Sequence, residues 1–415
     1  MEFKRINYYN KVIEELNSKN DKSEELFWAY IERGMIYFEL VEYNKAISDF
    51  ESAISLMPDE SISYYNLGII YYHRKELDKS LDYFKKVIEL EPDNGQAYYQ
   101  MGLILNLKKE YLSAVNCFSE AVNSGRKTAD VFYNRALSYI KLTEFEKAMK
   151  DLDTALKIKP SNSDYYLARA GLNLNLKNYK DALKDFTSLI KLKPDFSSYR
   201  FDRAVLYATV GSWFKTVESV GNKDSFIYKK SVELSSGFDE NSDFYYNLAR
   251  YDIDFALDNE AKICGFSGVS PSFYLTRGAI LLSMGKKTEA ELDFVLAKKN
   301  IKIFSFETLN EAGSKYVGER YYLIKALVCL YLGEYETAKK ELDRVLNMEI
   351  FSSRLDILYA CYWWKAEKDF EKTNFWFERS LRNGFDIINV IDDIFEGYFL
   401  RDFLYELEKK KQINF

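Results

Sequence analysis

"YYNLGIIYYHRKELDKSLDYFKKVIELEPD" occupies Tyr64–Asp93, and its skeleton returns when the chain is shifted by 34 residues either way. Gly34, Gly68, Gly102, Ala136, Ala170 and Ala204 recur at that interval. Twelve residues beyond them stand Ala46, Ser80, Ala114, Ala148, Ala182 and Thr216; sixteen beyond stand Phe50, Phe84, Phe118, Leu152 and Phe186. Each unit carries two apolar stripes at helical spacing, separated by a short polar break such as "HRKEL" (73–77). The spacing predicts a helix hairpin in which a small residue lets the second helix approach and an aromatic one fills the space beside it. Pro58, Pro92, Pro160 and Pro194 end four second helices.

This pattern resembles the tetratricopeptide repeat (TPR) family, carried in one unit by Tyr64, Leu67, Gly68, Tyr71, Ser80, Phe84, Val87 and Pro92. Five units in register, residues 27–196, make the resemblance specific, although Asn173 departs from it. The resemblance implies an all-α fold: an α-solenoid, a right-handed superhelix of stacked TPR helix hairpins with terminal capping helices. The expected organisation is an N-terminal capping helix (1–26), an array of about six repeats (27–220), an irregular helical region or degenerate repeat (221–270), further TPR-like repeats with an insertion at 305–318 (271–382), and a C-terminal capping helix (383–415). In the sixth unit, "SSYRFDRAVLYATVGSW" (197–213) reads as a first helix and "FKTVESVGNK" as a short partner; "SDFYYNLARYDIDFAL" (242–257) reads as helix without a phase. The tail places Phe399, Phe403, Leu404 and Leu407 on one face, with lysines 409–411 at the negative end of the helix.

Composition narrows the function. A formal charge of -6 without a basic stripe argues against nucleic acid. Residues 1–20 hold no apolar core for a signal peptide, and no stretch is long enough to span a membrane. The four cysteines are scattered without metal-ligand spacing, so a reduced, cytoplasmic protein is expected.

In stacked hairpins the first helices line an inner groove, where TPR-like proteins bind peptides. The groove-facing positions are predicted to include Ile31, Met35, Tyr65, Ile69, Tyr72, Tyr99, Leu103, Tyr133, Leu137, Leu167 and Phe201. An apolar, aromatic face of that extent is expected to take an extended peptide or an amphipathic helix. The rival reading is that the chain's own segments cover it. A chaperone-tail carboxylate clamp of the kind some family members carry is excluded: Asn66 and Asn134 occupy its asparagine position, but Ile31, Tyr65, Tyr99, Tyr133 and Leu167 replace its lysine, and Gln96, Gln100, Asp164 and Ala168 its basic pair.

No catalytic, metal or cofactor site is expected. His73 is the sole histidine, and a lone histidine at a helix end is far more often a surface residue than a base. "NSGRKTAD" (123–130) lacks the spacing of a phosphate loop; "DIDFALDNE" (252–260) lacks the glycine turn of a calcium loop; Cys264 has no base partner. The leading reading is a non-enzymatic protein–protein scaffold. The alternative is a structural protein that self-associates through its repeat faces or the 221–270 region.

Overall fold

The computed structural model describes residues 2–19, 23–219, 223, 226–264, 269–301, 315–348, 352–383, 400, 403, 404, 406 and 407. Among these residues there are twenty α-helices and no strand. The chain divides into two compact units, Met1–Leu172 and Asn173–Phe415.

The first unit holds α1 (Glu2–Ser18), α2 (Glu24–Glu39), α3 (Tyr43–Leu56), α4 (Ser61–His73), α5 (Leu77–Leu90), α6 (Gly95–Leu107), α7 (Tyr111–Asn123), α8 (Ala129–Lys141), α9 (Phe145–Ile158) and most of α10 (Ser163–Asn175). From α2 to α9 each first helix packs on its second, and α4, α6 and α8 each pack on the second helix before them. Why the pairs sit so close is visible at Gly68. A Cβ there would lie 2.8 Å from the Phe84 ring, so glycine lets the ring sit where any other residue would displace it. Ser80 adds a bond across the same contact, its hydroxyl donating to the Gly68 carbonyl at 2.6 Å.

The turns follow from local chemistry. Val41, Lys75, Lys109 and Thr143 take left-handed φ of 60–64°, two residues before each second helix. The next amide then reaches back to the first helix, as Glu76 N does to Tyr71 O at 2.9 Å, satisfying a terminal carbonyl. Second helices stop at Met57, Glu91 and Lys159, extended residues forced out of the helical region by the prolines after them. Arginine and aspartate 16 residues apart join the two helices of a pair: Arg33 holds Asp49 at 2.9 and 2.6 Å, and Arg135 holds Asp151 at 2.7 and 2.8 Å. At the start of the unit, Ile13 and Leu16 of α1 cover Leu26 and Ala29 of α2.

The second unit holds the end of α10, α11 (Tyr179–Leu192), α12 (Ser197–Ser219), α13 (Phe226–Ser235), α14 (Ser242–Cys264), α15 (Pro271–Ser283), α16 (Lys287–Ile301), α17 (Lys315–Tyr331), α18 (Tyr335–Leu346), α19 (Ser353–Tyr362), a π-helical turn (Trp363–Glu367) and α20 (Phe370–Arg382). One expectation is corrected here. "FKTVESVGNK" forms no second helix; up to Ser219 it continues α12, a single helix of 23 residues. Gly211 stands 34 residues after Lys177, the preceding left-handed turn residue, yet lies inside α12. Its missing Cβ gives room to Tyr246 of α14, whose ring atoms would lie 3.2 Å from such a Cβ.

The second helix of this pair is α14, which packs along α12. Arg203 holds Asp252 at 2.7 and 2.9 Å across 49 residues. Tyr246, Ala249, Asp252, Ile253 and Ala256 are buried where Tyr43, Ala46, Asp49, Phe50 and Ala53 stand in the first repeat's second helix. The intervening α13 packs on α12, and Trp213 meets Tyr179 and Phe238 in a small core of its own. Beyond α14 the pairs α15/α16, α17/α18 and α19/α20 follow. Phe403 packs against Trp364, Phe370 and Phe377, with Leu400, Leu404 and Leu407 buried beside it. Residues 305–314 of the expected insertion, Phe399 and lysines 409–411 lie outside the described residues.

Candidate functional site

The predicted groove residues of the first unit divide into three kinds. Ile31 is a correction: it is fully buried among Phe27, Ala46, Phe50, Leu67 and Ile70, because α4 lies over it and isoleucine is too short to emerge. Met35 and Leu167 are exposed, at 41% and 43%. Tyr65, Ile69, Tyr72, Tyr99, Leu103, Tyr133 and Leu137 are half-buried.

The tyrosines are already engaged. Tyr65 Oη accepts bonds from Gln96 Nε2 at 2.9 Å and Gln100 Nε2 at 3.3 Å on the next first helix, and its ring lies against Phe84. Tyr99 Oη accepts from Asn134 Nδ2 at 3.3 Å, while Arg126 covers its ring at 4.8 Å. Tyr133 packs on Tyr165, whose hydroxyl donates to Asp130 at 2.5 Å. Burial raises the Tyr99 and Tyr133 hydroxyls above the usual tyrosine range. These side chains close the space between successive first helices. Asn66 and Asn134 also spend amide hydrogens internally, on the Ile62 and Asp130 carbonyls.

The second unit differs at the same register. Tyr65, Tyr99 and Tyr133 each stand three residues before the small residue of their helix, and Phe201, Leu275, Leu323 and Leu358 take that place in α12, α15, α17 and α19. None has a hydroxyl, and three are shorter than tyrosine. A cavity of about 450 Å³ opens there, lined by these four with Val205, Ile324, Leu327, Ser272, Thr276, Glu319 and Arg354. Of the predicted groove residues in the second unit, Phe201 lines it. Leu275, Leu323 and Leu358 were missed, although their spacing from Gly278, Ala326 and Cys361 carries the same signal as Tyr65 from Gly68; Leu327, also missed, follows Ala326 as Ile69 follows Gly68. Thr276 is 1% exposed, and its hydroxyl has no partner among the described residues.

Chemistry elsewhere is sparse. Among the described residues no cluster of histidine, cysteine, aspartate or glutamate could hold a metal. His73 is exposed and lies edge-on to Phe38. Burial pushes the Cys117 and Cys329 thiols up to about 11, which makes them poor nucleophiles.

Family models of the tetratricopeptide repeat match residues 29–60, 61–94 and 129–162. The chain is a tetratricopeptide repeat protein. The repeats mark it as a protein-interaction scaffold. No curated protein sequence matches the repeat protein. Several solved structures are similar to it. YrrB, a TPR protein with an unusual peptide-binding site, is 21% identical over 51% of this chain and 92% of its own, with a TM-score of 0.39. A tetratricopeptide repeat protein from Parabacteroides merdae is 20% identical over 66% and 92%, with a TM-score of 0.42. MamA is 20% identical over 39% and 94%, with a TM-score of 0.37. Among the described residues of the repeat protein, no helix is long and apolar enough to cross a membrane.

Proposed function

We propose that the repeat protein is a non-enzymatic adaptor that holds a peptide or amphipathic helix against the first helices of its second unit. The observation that carries this reading is the cavity between α12, α15, α17 and α19, open where α4, α6 and α8 of the first unit fill the same register with tyrosine. Apolar walls with a few polar groups in a space of this size suit an anchoring side chain. Each large apolar anchor buried there contributes about 1.5–3 kcal/mol, enough for a few anchors to hold a partner. Acting through shape and apolar burial, the site needs no metal or cofactor. The unreactive thiols of half-buried Cys117 and buried Cys329 suit a cytoplasmic location.

Affinity capture with the wild type and with Leu327→Trp, which fills the cavity, tests this. A partner held by the wild type and lost from the variant supports the site. A set of partners identical for both overturns it.

A further inference from the structure

In the first unit, tyrosine and an amide side chain meet across neighbouring first helices: Tyr65 with Gln100, and Tyr99 with Asn134. The corresponding pair between α12 and α15 is Phe201 and Thr276. Phe201 offers no hydroxyl, so the polar side chain opposite it has lost its partner. Thr276 does not recover the bond from its own helix, as Thr209 does by donating to Val205 O at 3.0 Å. A polar group so placed, 1% exposed on the lining of an apolar cavity, costs stability until something bonds to it.

We propose that the second-unit cavity receives a tyrosine side chain of the partner, its ring among Leu275, Leu323 and Leu327 and its hydroxyl bonded to Thr276. The partner thus supplies what the first unit supplies to itself at Tyr65 and Tyr99. The inference rests on the docking reading above and names the anchor. The volume of about 450 Å³ lies within the range of small-ligand sites. The charged lining residues, Glu319 and Arg354, are of opposite sign, so the cavity favours a neutral group over a phosphorylated or carboxylate-bearing one. A rotamer step of Thr276, which exchanges its methyl and hydroxyl, turns the hydroxyl toward the occupant.

The test uses p-cresol, the isolated tyrosine side chain, and toluene, which lacks only the hydroxyl. Both are titrated against the full chain by ligand-observed NMR, with the variants Thr276→Val, Thr276→Ser and Leu327→Trp. Expected are a preference for p-cresol of about tenfold, its loss in Thr276→Val, its retention in Thr276→Ser, and loss of both ligands in Leu327→Trp. Thr276→Val keeps the shape of threonine and removes the unpaired hydroxyl, so thermal unfolding no lower than that of the wild type shows that the fold is intact. Equal binding of the two compounds, or a preference that survives Thr276→Val, overturns the tyrosine assignment. The docking reading then still stands if Leu327→Trp removes binding. No binding of either compound overturns the tyrosine assignment as well, and the docking reading is then decided by the capture experiment.

Discussion

Arg203 grips Asp252 with the same two-bond geometry that Arg33 makes with Asp49, although 49 residues separate the first pair and 16 the second. The contact is the register mark of a repeat whose second helix arrives 33 residues late. Asp252 is fully buried and also accepts from Arg200 at 3.2 Å. Removing one member of such a pair leaves buried charge uncompensated, at a cost of about 3–5 kcal/mol. Asp252→Ala is therefore expected to speed amide hydrogen exchange in α12 and α14 while leaving α2 and α3 unchanged. Asp49→Ala is expected to do the reverse. Exchange in α12 that stays at the wild-type rate would remove Asp252 as the lock of this pair.

The sequence carried this phase without showing it to a search for constant spacing. "YNLARYDIDFA" (246–256) repeats the tyrosine, asparagine, alanines and aspartate of "YNKAISDFESA" (43–53). A period of 34 predicts the partner helix at 214–223, where the chain up to Ser219 continues α12 instead. The hairpins of the first unit were legible because small residue, aromatic and proline recur together. The site was less so. Periodicity places Tyr65 and Leu323 on the same face; whether that face is filled depends on side-chain length and on what the next helix offers. Ile31 shows the same limit, since only the packing of α4 over it decides its burial.

Backbone strain at the turns gives a second prediction. Val41 holds φ at 61°, where a β-branched side chain crowds the backbone, and its side chain is 65% exposed. Val41→Gly relieves the crowding and loses little packing, so a gain of about 0.5–1 kcal/mol is expected. Gly285 occupies the equivalent turn before α16 at φ 80°, with nothing near its absent Cβ. Gly285→Ala is expected to cost about 1 kcal/mol through the backbone alone. Urea unfolding of both variants checks the signs; two shifts in the same direction would refute the argument.

Asp202 predicts a pH dependence. Burial pushes its carboxyl up to about 6, against about 3.9 in an unfolded chain. Between those values the native state keeps a proton that the unfolded state has lost. Stability therefore falls as pH rises from about 4 to 6 and stays lower above. Asp202→Asn cannot ionise, so it should add about 2 kcal/mol near pH 7.5, allowing for partial exposure, and almost nothing near pH 3.5. Denaturant unfolding at the two pH values measures the difference. A gain of equal size at both would trace the effect to something other than ionisation.

The two units are expected to separate when their faces are changed. Tyr65→Phe and Tyr99→Phe each remove a hydroxyl that accepts bonds from the next first helix, at 2.9 Å for Gln96 and 3.3 Å for Asn134. Each should weaken the first unit by about 1 kcal/mol and leave partner capture intact, since these hydroxyls serve the fold. Leu327→Trp should behave oppositely. The cavity of about 450 Å³ accommodates the larger ring, so unfolding changes little while capture is lost. A double substitution, Tyr65→Phe with Leu327→Trp, should show the two effects independently, because the residues belong to different compact units and share no partner. If Tyr65→Phe alone abolishes capture, the first unit's tyrosine face, and not the second unit's cavity, is where the partner binds.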